Sequence, residues 1–259
     1  MLSIIIPSYH DPLLIKTVES LLENAEGDIE IICILDGYWT APLDDPRVRV
    51  VHLGHNRGMR EAINAGVAVA GGDYLMRMDE HQIVGKDYDR ILTETCKDNW
   101  IVTPKRYFLD VKKWEIMDLE PVESCKLIIA GNPEKFTGKH WKEHEEKHRN
   151  DMIYETMAMQ GSCWFMKKSW WNKVIKELQT EGYGPLIQDS HEMVFKTWQA
   201  GGKLMVNKNT WHAHKHRSFK RTHRSGSPEN PKNEALGYAY ALKVWREYYT
   251  NVIKPRWKI

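Results

Sequence analysis

Apolar positions along the first eighty residues alternate between two periods. Residues 2–6 form a nearly continuous apolar run rich in isoleucine and closed by Pro7, the pattern of a central parallel strand covered on both faces. Asp11-Pro12 then predicts a helix start, with a capping acid followed by proline at the first helical position. Leu14, Val18, Leu21 and Leu22 give that helix its buried stripe, which ends near Gly27. Residues 29–35 read as a second strand, closed by Asp36-Gly37, and residues 48–53 as a third. Met59, Ala62, Ile63, Gly66, Val67 and Ala70 recur at helical spacing. Residues 74–78 form the next strand. This order of strands and helices predicts an α/β protein with a mixed, mostly parallel sheet flanked by helices.

Beyond residue 80 the pattern weakens. A helix is predicted over 87–96, a strand over 101–103, a strand over 163–166 and a helix over 168–178. Gly182-Tyr183-Gly184-Pro185 marks a turn, and a helix over 190–200 stops at Gly201-Gly202. A strand over 203–206 and a terminal helix over 233–249 follow. Residues 108–150 are polar, charged and weakly periodic, and read as an excursion over the active face that forms part of an acceptor region. Without an internal repeat or linker, the chain divides most simply into a core over 1–217 and an appended basic flap and helix over 218–259.

Composition narrows the class. A 42% hydrophobic and 28% charged content is that of a soluble globular protein. With a net charge of only +2, any basic binding surface must be local. Cys33, Cys96, Cys125 and Cys163 include no C-x-x-C pair, which argues against a zinc ribbon or disulfide framework and fits a reducing compartment. The first residues lack the charged flank of a signal peptide. No apolar run approaches the roughly 20 residues that span a bilayer. The expectation is a cytoplasmic protein without a membrane partner.

The candidate chemistry begins where strand 74–78 stops, at Asp79-Glu80-His81. Side chains two apart at a strand end project to the same side. An oxygen and a nitrogen ligand at that spacing suit a divalent transition metal. In isolation such a pair is more often a solvated turn. A second feature is the stretch 203–227, which holds seven Lys or Arg residues, four histidines and no acids.

Longer motifs carry a resemblance. Asn56-x-Gly58-x-x-x-Ala62-x-Asn64-x-Gly66, then Ala70-x-Gly72-x-Tyr74 and Asp79-x-His81, with the opening Ile4-Ile5-Ile6-Pro7-Ser8-Tyr9, resemble the family 2 glycosyltransferases of the GT-A fold. That family normally carries D-x-D at the third motif. D-x-H here, together with Phe195-x-x-Trp198-Gln199-x-Gly201-Gly202, resembles the polypeptide N-acetylgalactosaminyltransferases. The likeness covers residues 2–217.

The resemblance implies transfer of a sugar from a nucleotide-diphosphate sugar, a UDP-sugar above all, to a hydroxyl acceptor. It implies Mn²⁺ or Mg²⁺ held by Asp79, His81 and His214, the last lying twelve residues beyond Gly202. Pro7, Ser8, Tyr9 and Asp36 would line the nucleotide pocket, with Arg57 and Arg60 facing the nucleotide or sugar. Gln160, Gly161 and Trp164 would border the sugar and the acceptor. Arg217, Lys220 and Arg221 would close on the diphosphate as a basic flap. Asp189 and Glu192 are the acids of the catalytic block. Counted back from Gly201, Asp189 falls where inverting relatives carry Glu and Ser190 where they carry the Asp base; a one-residue slip would restore Asp189 as that base, and the likeness of the block to retaining transferases favours a retaining outcome.

Similar small transferases of bacteriophages glycosylate hydroxymethylated pyrimidines, so double-stranded DNA enters as a candidate acceptor, matched to the basic run. The alternatives are a glycan, protein or small-molecule acceptor, or a non-catalytic module that binds nucleotide sugar or nucleic acid. Sugar nucleotidyltransferases need a glycine-rich phosphate loop after the first strand, and Pro7-Ser8-Tyr9-His10-Asp11 is not one.

Overall fold

A computed structural model describes residues 1–41, 43–215 and 231–259. In chain order the elements are β1 (Leu2–Ser8), α1 (Leu14–Asn24), β2 (Ile29–Asp36), β3 (Val48–Leu53), α2 (Met59–Val69), β4 (Tyr74–Met78), β5 (Gln82–Val84) and α3 (Tyr88–Thr95). Then come β6 (Trp100–Asp110), β7 (Glu115–Ile116), β8 (Cys125–Ala130), β9 (Lys135–His140), α4 (Lys142–Lys147), β10 (Ile153–Glu155) and β11 (Cys163–Lys167). The chain closes with α5 (Lys168–Trp170), α6 (Asp189–Gln199), β12 (Lys203–His214), α7 (Pro231–Tyr248) and α8 (Lys254–Trp257).

The main sheet runs in the order β10-β12-β6-β11-β4-β1-β2-β3. β3, β2, β1 and β4 are mutually parallel, and β6 pairs in parallel with β12, while β11 lies antiparallel between β4 and β6. The central strands are buried on both faces, which is why they read as continuous apolar runs. Ile5, Ile32 and Ile34 face one core with α2, α6 and α7, whereas Ile4, Ile6, Ile31 and Cys33 face the other with α1 and α3. Each fully buried aliphatic side chain of this kind contributes about 1.5–3 kcal/mol. Gly66 lets α2 approach β1 closely, since a Cβ there would meet Ile5 Cγ2 at 2.5 Å.

Several expectations are corrected. Helix α1 begins at Leu14, because Asp11 Oδ1 accepts the Leu13 N–H at 2.8 Å and holds residues 11–13 as a turn ahead of it. The helix expected over 168–178 lasts only through α5 and then widens into a π-turn at Trp171–Ile175. That widening sends two consecutive indoles inward, Trp170 toward Thr197 Oγ1 at 3.4 Å and Trp171 toward the Lys176 carbonyl at 2.9 Å.

Residues 108–150 hold regular structure that their polar pattern conceals. They carry β7, the β8–β9 hairpin and α4, and the hairpin buries Leu127 and Phe136 in the main core. α7 packs Ala241, Leu242 and Trp245 into that same core, so this helix is integral to it. No helix among the described residues is long and apolar enough to cross a membrane.

The strand expected over 203–206 in fact runs to His214, and this extension builds the site. The β6–β12 ladder shifts register between Asn207 and Trp211, after which β12 continues alongside β6 as far as His214 opposite Phe108. β5, absent from the sequence expectations, pairs antiparallel with the end of β12, setting His212 opposite Val84 and His214 opposite Gln82. The residue before Gln82 is His81. A three-residue strand thus draws a histidine from the far end of the chain onto the Asp79–His81 turn.

Candidate metal and nucleotide-sugar site

The turn after β4 is fixed by backbone and side-chain bonds. The Asp79 N–H donates to the Ser162 carbonyl at 3.1 Å, Gln82 Nε2 donates to the same carbonyl at 2.6 Å, and the Gln82 N–H donates to Thr17 Oγ1 at 3.0 Å. Asp79, His81 and His214 come together there, and one ligand atom from each lies within 4.8 Å of the others. His214 Nε2 is 3.2 Å from Asp79 Oδ2, and the two imidazole rings stand 5.0 Å apart.

Asp11 extends the set. Its Oδ2 is 2.9 Å from His81 Nδ1. An Nδ1–H donated to Asp11 leaves the lone pair on Nε2, the arrangement that presents a histidine to a metal. Burial pulls the His81 pKa down, but the Asp11 hydrogen bond and the negative Asp79 and Glu80 outweigh it and leave it raised. Burial likewise lowers His214, against the pull of Asp79, which favours the neutral, ligating form. For Asp79, burial acts upward, yet the Arg77 guanidinium and the two imidazoles hold it well below the usual carboxylate range. One ionised carboxylate and two imidazoles fit a divalent cation of the Mn²⁺ type.

Arg77 sits beneath this group almost wholly buried. It donates to Asp79 Oδ1 at 2.6 Å and to the Gly161 carbonyl. Above it opens a cleft of about 490 Å³. Its lining includes Asp79, His81 and His214, Gln160 and Gly161 ahead of β11, Lys135 to Gly138 on β9, and Asp189 and Ser190 at the start of α6. Gly161 packs beside the start of α6, where a Cβ would lie at ordinary contact distance, 3.4 Å, from Ser190 and 3.6 Å from Asp189 Oδ2. Among the described residues Asp189 Oδ2 is buried without a hydrogen-bond partner. His191 also lines the cleft, and burial lowers its pKa to about 4.

Other expected residues serve different purposes. Glu192, expected to be catalytic, is sealed in the core by Arg60 and by Lys196 Nζ at 2.6 Å. Arg60, expected to face the nucleotide, is fully buried and gives its remaining donors to the carbonyls of Gln179 and Ile187, both at 2.8 Å. Together the two tie α2 to α6; neither lines the cleft. Trp164, expected to border the sugar, is fully buried on β11 and stacks on Trp171 at 5.7 Å. The alternation of β11 turns its indole to the helical layer and away from the cleft.

At the carboxyl end of β2 the carboxylate of Asp36 is engaged by the loop before α2. Its oxygens accept the Arg57 N–H at 2.6 Å, the Gly58 N–H at 2.7 Å and Asn56 Nδ2 at 3.1 Å. Burial raises its pKa despite those bonds. The Arg57 side chain is half-exposed and pairs with Glu61 at 3.8 Å. Pro7 and Ser8 end β1 beside β2, and Ser8 Oγ is hydrogen-bonded to the Tyr38 hydroxyl. The Tyr9 N–H donates to Glu80 Oε1 at 3.1 Å, joining this loop to the Asp79–His81 turn. Burial lifts Glu80 to about 7. Arg217, Lys220 and Arg221 lie outside the described residues.

Sequence reasoning missed Asp11, Arg77, Arg106 and Lys135. Asp11 was visible only as a helix cap, and Arg77 only as an interruption in an apolar strand. Arg106 and Lys135 fall on strands that polar composition concealed.

An open α/β sheet with an acid–histidine cluster at the end of β4 defines a nucleotide-sugar transferase architecture, and the comparisons with known proteins agree. Residues 3–175 match the model of glycosyl transferase family 2, so the chain belongs to that family. The chain is 32% identical over 108 residues to the uncharacterized glycosyltransferase EpsJ of Bacillus subtilis, covering 38% of this chain and 31% of that protein. It is 24% identical over 212 residues to polypeptide N-acetylgalactosaminyltransferase 6 of Homo sapiens, covering 74% of this chain and 33% of that protein. The crystal structure of GalNAc-T7 with UDP, GalNAc and Mn²⁺ superposes with a TM-score of 0.78 at 16% identity, over 98% of this chain and 50% of that one. The fold is therefore that of the GT-A glycosyltransferases. The chain spans about a third of the length of the curated relatives it matches.

Proposed function

We propose that the protein transfers a sugar from a UDP-sugar to a hydroxyl acceptor, with Mn²⁺ held by Asp79, His81 and His214. The convergence of those three side chains, with His81 oriented by Asp11, carries the reading. A bound divalent cation supplies Lewis-acid neutralisation of the departing diphosphate. The protein's own residues do the rest. Arg77 fixes the rotamer of Asp79, and Asp11 fixes the tautomer of His81. Ser8, Tyr9 and Asp36 flank the carboxyl ends of β1 and β2, where open α/β sheets receive nucleotides. Arg57, Arg217, Lys220 and Arg221 are the cations proposed to meet the diphosphate.

Gln160 and Gly161 border the transferred sugar, and Asp189 is the acid set to engage it or the acceptor hydroxyl. Retention of anomeric configuration is favoured, because Ser190 stands at the position where inverting relatives carry their base. GalNAc-T7, described with UDP, GalNAc and Mn²⁺, supports the choice of nucleotide and metal.

Transfer to DNA depends on the basic run at 203–227, of which 216–227 lie outside the described residues. Within the described part, Lys208 is turned into the fold by the carbonyls of His148 and Arg149, at 3.1 and 2.9 Å. No described contact favours duplex DNA over another hydroxyl acceptor. The test is a panel of nucleotide sugars incubated with enzyme and Mn²⁺ and scored for slow hydrolysis. Turnover of at least one UDP-sugar is expected; a panel that is bound but never hydrolysed would leave a binding module instead.

A further inference from the structure

Arg106 on β6 is a buried cation that the chemistry above does not use. It stands opposite His212 in the β6–β12 ladder, two residues before Phe108, which faces His214. Its guanidinium packs 4.9 Å from the Phe108 ring, and the residue is 8% exposed and lines the cleft. Among the described residues no carboxylate reaches it, and its buried Nε has no hydrogen-bond partner. Arg77 and Arg60, by contrast, are neutralised by Asp79 and Glu192. Burying an unpaired charge is costly, and an anionic group in the cleft would supply the missing partner.

Lys135 on β9 lines the same cleft. Its Nζ lies 4.7 Å from the Tyr238 ring, and no carboxylate is within ion-pair distance among the described residues. The strand order then separates two ends of the site. Tyr9 and Asp36 lie toward β1 and β2, on one side of Asp79, while β11 and β6 lie on the other. A nucleotide over β1–β2 with its diphosphate at Asp79 brings the transferred sugar and the acceptor toward Arg106.

We infer that Arg106, with Lys135 in the same cleft, binds a carboxylate or phosphate group carried by the transferred sugar or by the acceptor. This rests on the UDP-sugar reading of the cleft and adds that one of the two substrates is acidic at that end. A guanidinium is suited to the task because it meets both oxygens of such a group in a planar fork.

Two titration arms with Mn²⁺ at constant ionic strength test it. The first compares UDP-glucuronate with UDP-glucose. The second compares glucuronate and glucose 6-phosphate with glucose, both without UDP and in the presence of saturating UDP. At least a tenfold preference for the charged probe is expected in one arm, and the arm identifies which substrate bears the charge. Arg106→Met should erase that preference and Arg106→Lys should restore part of it. Equal affinities for charged and neutral probes in both arms overturn the inference, as does a preference that survives Arg106→Met intact. An Arg106→Met loss that is the same for UDP alone as for UDP-glucuronate assigns the residue to the diphosphate, and also overturns it. The two readings fail separately. If UDP does not bind but glucuronate still binds through Arg106, only the donor reading fails; if UDP binds without any charge preference, only the anion site does.

Discussion

Asp11 Oδ2 lies 2.9 Å from His81 Nδ1, so a residue that precedes the first helix sets the orientation of a ligand candidate seventy positions later. The same carboxylate holds the turn ahead of α1 through its other oxygen. Asp11→Asn keeps the size and turn-forming capacity but weakens the hold on the imidazole. Its affinity for Mn²⁺ should fall about 10- to 100-fold, as is usual when the outer partner of a ligating histidine is lost. Calorimetric titration against Mn²⁺ checks this, with circular dichroism to confirm an unchanged fold.

Asp189 and Glu192 should separate cleanly. Asp189 lines the cleft, and Asp189→Asn should lower sugar transfer about 100-fold or more with little change in melting temperature. Glu192→Gln should act through stability. It leaves Arg60 buried without its counter-ion, and loss of one partner from a buried pair costs about 3–5 kcal/mol. Urea denaturation measures the loss. The double variant Arg60→Met with Glu192→Met should recover much of it.

Much of this was legible in the sequence. The parallel strands announced themselves because burial on both faces demands unbroken apolar runs, and Asp79, His81 and His214 could be named before any coordinates. Residues 108–150 could not be read, since the β8–β9 hairpin is half solvent-facing and its polar positions mask the alternation. Arg60 and Glu192 deceived for another reason. A charged residue near a motif suggests a ligand, and nothing local reveals that each is the other's partner across 132 positions. Trp164 is similar: its chain position borders the cleft, but strand alternation decides which way the ring points.

Acid should destabilise the fold through two histidines. Burial lowers both His144 and His191 to about 4. An unfolded histidine titrates near 6.5. Between those values the unfolded chain binds protons that the folded chain does not, so stability present above about pH 6.5 is lost as pH falls toward 4. Melting temperatures measured at pH 7.5, 5.5 and 4.5 should decline in that order. His144→Phe, at the site away from the cleft, should flatten the decline.

Binding of UDP with and without Mn²⁺ tests the central claim most directly. Calorimetric titration should show wild-type protein binding UDP at least tenfold more tightly with Mn²⁺, with that gain abolished by Asp79→Ala and by His214→Ala in variants that retain cooperative melting. Metal-dependent UDP binding that is unchanged in both folded variants would contradict the assignment of Asp79, His81 and His214 as the metal site.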